Sequence, residues 1–179
     1  MVYVFLADGF EIIEAMASID MLRRAKVGVT TVGVDKELIT SSCGIVVKAD
    51  ITSDEFEFTD VEAIIIPGGM PGVINLEKSE TVQSAIDEAV ACGALICAIC
   101  AGPSILGHKG LLNGKNAICY PGFEEALDGA IISSNHVVTD GDYITAKGAG
   151  VAVEFGLEIV KELVGEAEAE AVRSAIQCR

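Results

Sequence analysis

The chain has 179 residues, 51% of them hydrophobic, with 19 glycines, no tryptophan and a formal net charge of -15. That length suits one domain, 1–179, with a core of ordinary size, and the composition argues against disorder. So acidic a surface repels phosphate backbones and anionic lipid, which excludes a nucleic-acid-binding class and favours small-molecule chemistry.

In chain order, VYVFLA (2–7) is an apolar run of strand type, followed by Asp8-Gly9 and a stretch with helical spacing over 10–25. The β-branched VGVTTVGV (27–34) reads as a strand. The alternating segment 38–52 around Cys43-Gly44 reads as a hairpin or edge pair. VEAIIIPGG (61–69) is a buried strand ending in a Pro-Gly-Gly loop, and a helix follows over 79–91. ALICAI (94–99) is the next strand, and AGPSILGHKG opens a helix directly after it. NAICY (116–120) is a short strand, FEEALDG a brief helix or turn, and HVVTDGDYITAKGAG two β runs around Asp140-Gly141-Asp142. Helices close the chain over 150–165 and from 166 onward.

Strands alternating with helices predict a three-layer α/β arrangement, a mostly parallel sheet with helices on both faces. Function in such sheets gathers at the carboxyl ends of the strands. Three loops lie there: ADGFEIIE, PGGMPG and CAGP. No run approaches the roughly 20 apolar residues of a membrane span. The N-terminal MVYVFLADGFEIIE lacks the basic region of a secretion signal. The six cysteines sit mostly in apolar runs, the pattern of reduced thiols, so the expected location is cytoplasmic.

LICAICAGPS contains two overlapping signals. Cys97 and Cys100 spell C-x-x-C, a redox dithiol in other settings. Here Cys97 falls inside a strand, where alternation sends positions 97 and 100 to opposite faces. Three extended residues also span roughly 10 Å, beyond the about 7 Å that a disulfide tolerates between Cα atoms. A structural zinc needs four ligands, and two histidines without a second C-x-x-C do not supply them. The other signal is Ala98-x-Cys100-x-Gly102, the sulfur analogue of a nucleophile elbow. A strand turning abruptly into a helix strains the turn residue, tolerates only small neighbours and sets the thiol at a helix N-terminus, where thiolate is favoured. Gly102-Pro103 suits the helix start. Taken alone, Cys100 can equally be a small buried hydrophobe.

At this point the chain resembles the DJ-one (ThiJ/PfpI) superfamily from end to end. The blocks ADGFEIIEA, AIIIPGGMPG, AICAGPSIL, CYPGFEEAL and KGAGVAVEFGLEIVKEL match the family's blocks in order, and the DJ-one/ThiJ branch looks closer than the intracellular-protease branch. The resemblance implies a flavodoxin-like fold and a homodimer without a cofactor or resident metal. It assigns the reactive cysteine to Cys100 and its partner carboxyl to Glu14, which as a protonated acid can donate a hydrogen bond to a thiolate. Backbone N–H groups of Gly69 and Ala101 would form an oxyanion-hole-like nest. Gly68, Tyr120, Arg24 and Lys147 are further pocket candidates, Arg24 through a family arginine near the dimer interface. The plain alternatives are a solvated helix-face role for Glu14, a tight turn for Gly68-Gly69 and surface cations for Arg24 and Lys147. One departure stands out: many members carry a histidine just before the proline that is Pro121 here, and this chain has Tyr120.

The function this implies is a cysteine-dependent stress-response protein of glyoxalase or deglycase type. Cys100 would attack a small carbonyl compound and Glu14 would move protons. The alternative is a non-enzymatic oxidative-stress sensor or chaperone, its partner an oxidant that takes Cys100 to the sulfinate. A cysteine hydrolase or amidotransferase would need a downstream histidine–acid pair, which GVAVEFGLEIV does not offer. The missing histidine argues against a protease.

Overall fold

The computed structural model describes residues 1–178. The chain opens with β1 (Val2–Leu6), α1 (Ile12–Arg24) and β2 (Val29–Gly33). A hairpin of β3 (Leu38–Thr40) and β4 (Val46–Lys48) follows, then β5 (Ile51–Thr52) and β6 (Ala63–Ile66). Next come α2 (Gly72–Lys78), α3 (Glu80–Cys92), β7 (Leu95–Ile99) and α4 (Pro103–His108). The last part holds β8 (Asn116–Ala117), β9 (Ile131–Ile132), β10 (Val137–Asp140), β11 (Tyr143–Ala146), α5 (Ala152–Val164) and α6 (Glu166–Ala175).

Seven strands form the central sheet in the order β10-β11-β7-β6-β1-β2-β5, all parallel except the edge strand β10. Alternate residues divide between two buried faces. Val4, Leu6, Cys97, Ile99 and Ile144 pack against Ala15, Ile19 and Leu22 of α1 and Phe155, Ile159 and Val160 of α5. Phe5, Val32, Ile64, Ile66 and Ile96 pack against Val82, Ile86 and Ala89 of α3 and Ile105 and Leu106 of α4. The result is the flavodoxin-like three-layer sandwich that the alternation of elements predicts.

Local signals explain the helix ends. The Glu11 carboxylate accepts from the Ile13 N–H at 3.2 Å and caps α1. Ser79 caps α3 by accepting from Val82, and Gly93, at φ +72°, ends it in the left-handed conformation. Pro103 occupies the first turn of α4. Close approach of α1 and α5 depends on Gly156, where a Cβ would stand 2.9 Å from Met21 Cγ and 3.2 Å from Ser18 Cα. That contact fixes the height of α1 over the sheet, and α1 carries Glu14.

The hairpin expected around Cys43-Gly44 is β3 and β4, which form a separate two-stranded sheet, and the end of the 38–52 segment supplies β5 at the edge of the main sheet beside β2. Two details differ from the sequence reading. The strand expected over 116–120 shrinks to β8, which pairs with β9 outside the main sheet. The loop after β6 contains α2, unanticipated because its turn signals, Pro71 and Gly72, stand at its own N-terminus. No helix among the described residues is long and apolar enough to cross a membrane.

The chain leaves β1 toward β2 on one side and later returns to β6 on the other. Their carboxyl ends therefore flank a topological switch point. There the loops after β1 and β6 lock together. The Glu11 N–H donates to the Gly68 carbonyl at 2.9 Å, and a Cβ on Gly72 would stand 2.6 Å from Phe10 N.

Candidate active site

Cys100 follows the last residue of β7 and has φ +64°, a conformation rare for any residue but glycine. Main-chain bonds hold it there. Its N–H donates to Ala146 O at 2.9 Å, its carbonyl accepts from Tyr120 N–H at 2.8 Å, and Gly102 N–H donates to Ile99 O at 2.9 Å. Crowding explains the small neighbours. A Cβ on Gly102 would stand 2.7 Å from Ile66 O, and one on Gly68 would stand 2.6 Å from Cys100 Cβ. The turn also ends the strand's alternation. Cys97 is fully buried against α1 and α5, and Cys100 packs partly against that same side rather than the opposite one. The two thiols nevertheless form no disulfide.

Glu14, one turn into α1, is completely buried. Its Oε2 accepts from Gly68 N–H at 2.7 Å, and its Oε1 has no hydrogen-bond partner. Burial pushes the carboxyl up to about 7, against the lowering influence of the Gly68 N–H, the Cys100 side chain and the Ala149 N–H. A carboxyl that holds its proton to neutral pH can present Oε1 as a donor to a thiolate or to a bound oxyanion.

Burial also pushes the Cys100 thiol up to about 12, helped by the Glu14 charge and the Glu14 hydrogen bond, while the N–H groups of Ala101 and Gly69 lower it. The short α4 does not offset burial as its N-terminal position led us to expect. Glu14 and Cys100 therefore titrate as a pair. When the carboxyl is ionised the thiol keeps its proton; when the carboxyl is protonated, the charge opposing the thiolate is gone. The unit can pass one proton between oxygen and sulfur.

The remaining candidates separate into near and far. Gly68, Gly69 and Ala101 stand at the thiol through the contacts above. Tyr120 is tied to it by its main chain, and its ring lies against Gly148: a Cβ on Gly148 would be 3.3 Å from Tyr120 Cδ2 and 3.9 Å from Cys100 Sγ. Lys147 adjoins this glycine, half-buried, with its N–H donated to His136 O. Arg24 lies ten residues beyond Glu14 on α1, about 15 Å along the axis, paired with Asp20 at 2.8 Å. It takes no part in the site. His108 bonds Glu77 at 2.5 Å and His136 is exposed, and neither acts on the thiol. Gly148 and Ala149 are the site positions that residue chemistry missed. Their only signal is the KGAG run, whose small residues let main chain approach the sulfur. Among the described residues no cluster of histidine, cysteine or acid could hold a metal. A separate polar cavity of about 760 Å³, with Asp8, Lys36, Asn75 and Lys78 in its walls, lies at the carboxyl ends of β1 and β2 and does not include Cys100 or Glu14.

Comparison with known proteins agrees with this fold. The DJ-1/PfpI family model matches residues 1–162. Protein DJ-1 homolog A of Arabidopsis thaliana is 32% identical over 99% of this chain, but the match spans only 46% of that longer protein. Protein dj-1beta of Drosophila melanogaster is 31% identical, over 97% of this chain and 94% of its own. The solved structure of oxidized Toxoplasma gondii DJ-1 superimposes with a TM-score of 0.94 at 33% identity, covering 98% of this chain and 97% of that one. An elbow cysteine, an interior glutamate and a family match over most of the sequence lead to one conclusion: the chain belongs to the DJ-1/PfpI family.

Proposed function

We propose that this is a cysteine-dependent stress-response protein that converts reactive carbonyl compounds through Cys100 and Glu14. The observation that carries the reading is the buried, half-unpartnered Glu14 carboxyl beside a thiol on a strained turn. In this reading the Cys100 sulfur adds to the aldehyde carbon of an α-oxoaldehyde such as methylglyoxal. The C=O π pair moves to oxygen, which faces the Gly69 and Ala101 N–H groups and takes up a proton to give a hemithioacetal. The Glu14 carboxylate then removes the C1 proton and returns it to the neighbouring carbon, while the C1 hydroxyl proton passes to the former ketone oxygen, leaving a thioester. Water cleaves the C–S bond, releasing lactate and the thiol. The sum is methylglyoxal plus water to lactate, with no outside oxidant or reductant. A carboxyl titrating near 7 suits a group that must both take and give a proton. Lactate formation from methylglyoxal tests this: Cys100→Ser and Glu14→Gln each abolish it, and an undiminished rate in either refutes it.

A second reading has its own support. The two N–H groups that face the sulfur would equally stabilise a sulfinate, with protonated Glu14 as a third donor. The Toxoplasma relative is described as oxidized. Intact mass after mild peroxide decides it: two added oxygens confined to Cys100 support a sensor, and unselective oxidation removes it.

The protein is further proposed to act in the cytoplasm, without nucleic-acid or membrane partners, as a homodimer. Ile13 on α1 and Leu38, Ile45 and Val46 on the hairpin are each more than half exposed. Bonds from Gly9 N to Thr40 O and from Ser42 N to Phe10 O hold the hairpin against the start of α1, making one continuous apolar surface for a second copy.

A further inference from the structure

Tyr120 stands at the position for which the family resemblance implies a histidine, and its surroundings give it a different use. Its main chain is fixed to the nucleophile: the N–H donates to Cys100 O at 2.8 Å, and its carbonyl accepts from Phe123 N–H at 3.0 Å. The preceding Cys119 is buried, whereas Tyr120 itself is 51% exposed. Its hydroxyl makes no hydrogen bond among the described residues, so nothing positions the oxygen as an acid or base. The ring edge nevertheless lies beside the sulfur. Cδ2 and Cε2 stand 3.3 and 3.9 Å, and Cys100 Sγ 3.9 Å, from the point where a Cβ on Gly148 would be. A side chain at 148 would crowd the ring, so Gly148 leaves no side chain between the aromatic edge and the sulfur. A substituent on the carbon bonded to sulfur comes within reach of this half-exposed ring.

We infer that Tyr120 is a specificity-determining residue, an aromatic wall that makes the site prefer electrophiles bearing a planar aryl group over those bearing a methyl or amide group alone. The inference rests on Cys100 being the nucleophile of the proposed function, and it deepens that reading by naming a substrate class, the aryl α-oxoaldehydes. A half-exposed ring whose main chain is tied to the nucleophile offers edge-to-face or offset contact with a second ring.

The test uses two reagents with the same reacting carbon, iodoacetamide and its N-phenyl derivative iodoacetanilide. In each, the thiolate displaces iodide, forming C–S and breaking C–I. The rate of Cys100 modification is followed by intact mass, and kcat/KM for phenylglyoxal and methylglyoxal is measured alongside. The aryl-to-non-aryl rate ratio falls about 2- to 10-fold in Tyr120→Ala. It is retained in Tyr120→Phe, which keeps the ring and loses the hydroxyl. An unchanged ratio in Tyr120→Ala, or a fall in Tyr120→Phe equal to that in Tyr120→Ala, overturns the inference. Alkylation needs no turnover, which keeps the two proposals distinguishable. An aryl preference that depends on the ring, in a protein that forms no lactate, upholds the wall and removes the carbonyl chemistry.

Discussion

Replacing Glu14 by glutamine keeps the shape of the side chain and removes its titration. The glutamine carbonyl can still accept from Gly68 N–H, the 2.7 Å bond of the native carboxylate. The carboxyl titrates at about 7 in the folded protein against an ordinary value of 4.5. A raised folded value means that its contribution to stability is fully present below 4.5 and is lost as pH rises through 7. At about 1.4 kcal/mol per pH unit, the ionised carboxylate costs about 3 kcal/mol above that range. From about pH 5.5 to pH 8.5, wild type should therefore lose about 2 kcal/mol relative to Glu14→Gln. Urea unfolding of both proteins across that window, with equal m-values, measures the difference directly. The same substitution removes the charge that raises the Cys100 thiol. Alkylation of Cys100 at pH 8 accordingly becomes faster even as lactate formation is lost. A stability difference that stays flat with pH would refute the burial argument, and slower alkylation would refute the charge argument.

Gly68→Ala drives a Cβ to 2.6 Å from Cys100 Cβ and 2.7 Å from Glu14 Oε2. It should cost about 1–3 kcal/mol in urea unfolding and cut lactate formation further than that loss explains. Gly156→Leu wedges α1 away from α5 at Met21 and Ser18, and should lower stability by about 2 kcal/mol with a slower Cys100 reaction. Val46→Asp places a charge in the apolar surface of the hairpin. Sedimentation should then report a monomer for the variant against a dimer for the unsubstituted chain, and equal masses for the two rule that surface out.

The layered fold was legible because its strands are short apolar runs separated by amphipathic helices, a pattern that one sequence carries in full. The elbow was legible for a local reason: small residues at 98 and 102 around Cys100 answer a steric demand that Ile66 O and the strained φ impose on the spot. Glu14 was a different case. Nothing in FEIIEAM distinguishes Glu14 from Glu11, since they stand three residues apart at the start of one helix and only the packed sheet buries the first and leaves the second half-buried. Family likeness rather than periodicity separated them. Arg24, singled out through a family arginine near the dimer interface, lies about 15 Å along α1 from Glu14, so within one copy of the chain it stands apart from the thiol. The ionisation of Cys100 was unreadable from its helix N-terminus, because burial and a carboxylate 86 positions upstream outweigh a six-residue helix.

The interlocked loops after β1 and β6 also bear on how the site can change over generations. Gly69 and Gly72 meet their neighbours main chain to main chain, so the course of this loop and its seat on the start of α1 depend little on which side chains surround them. Residues at the rim, such as Tyr120 and Met70, are exposed and take no part in that lock. Substitutions there can exchange one substrate preference for another while leaving the proton-sharing pair in register. Such a separation of fixed chassis from variable rim lets a lineage change the side chain at position 120 without rebuilding the thiol's surroundings.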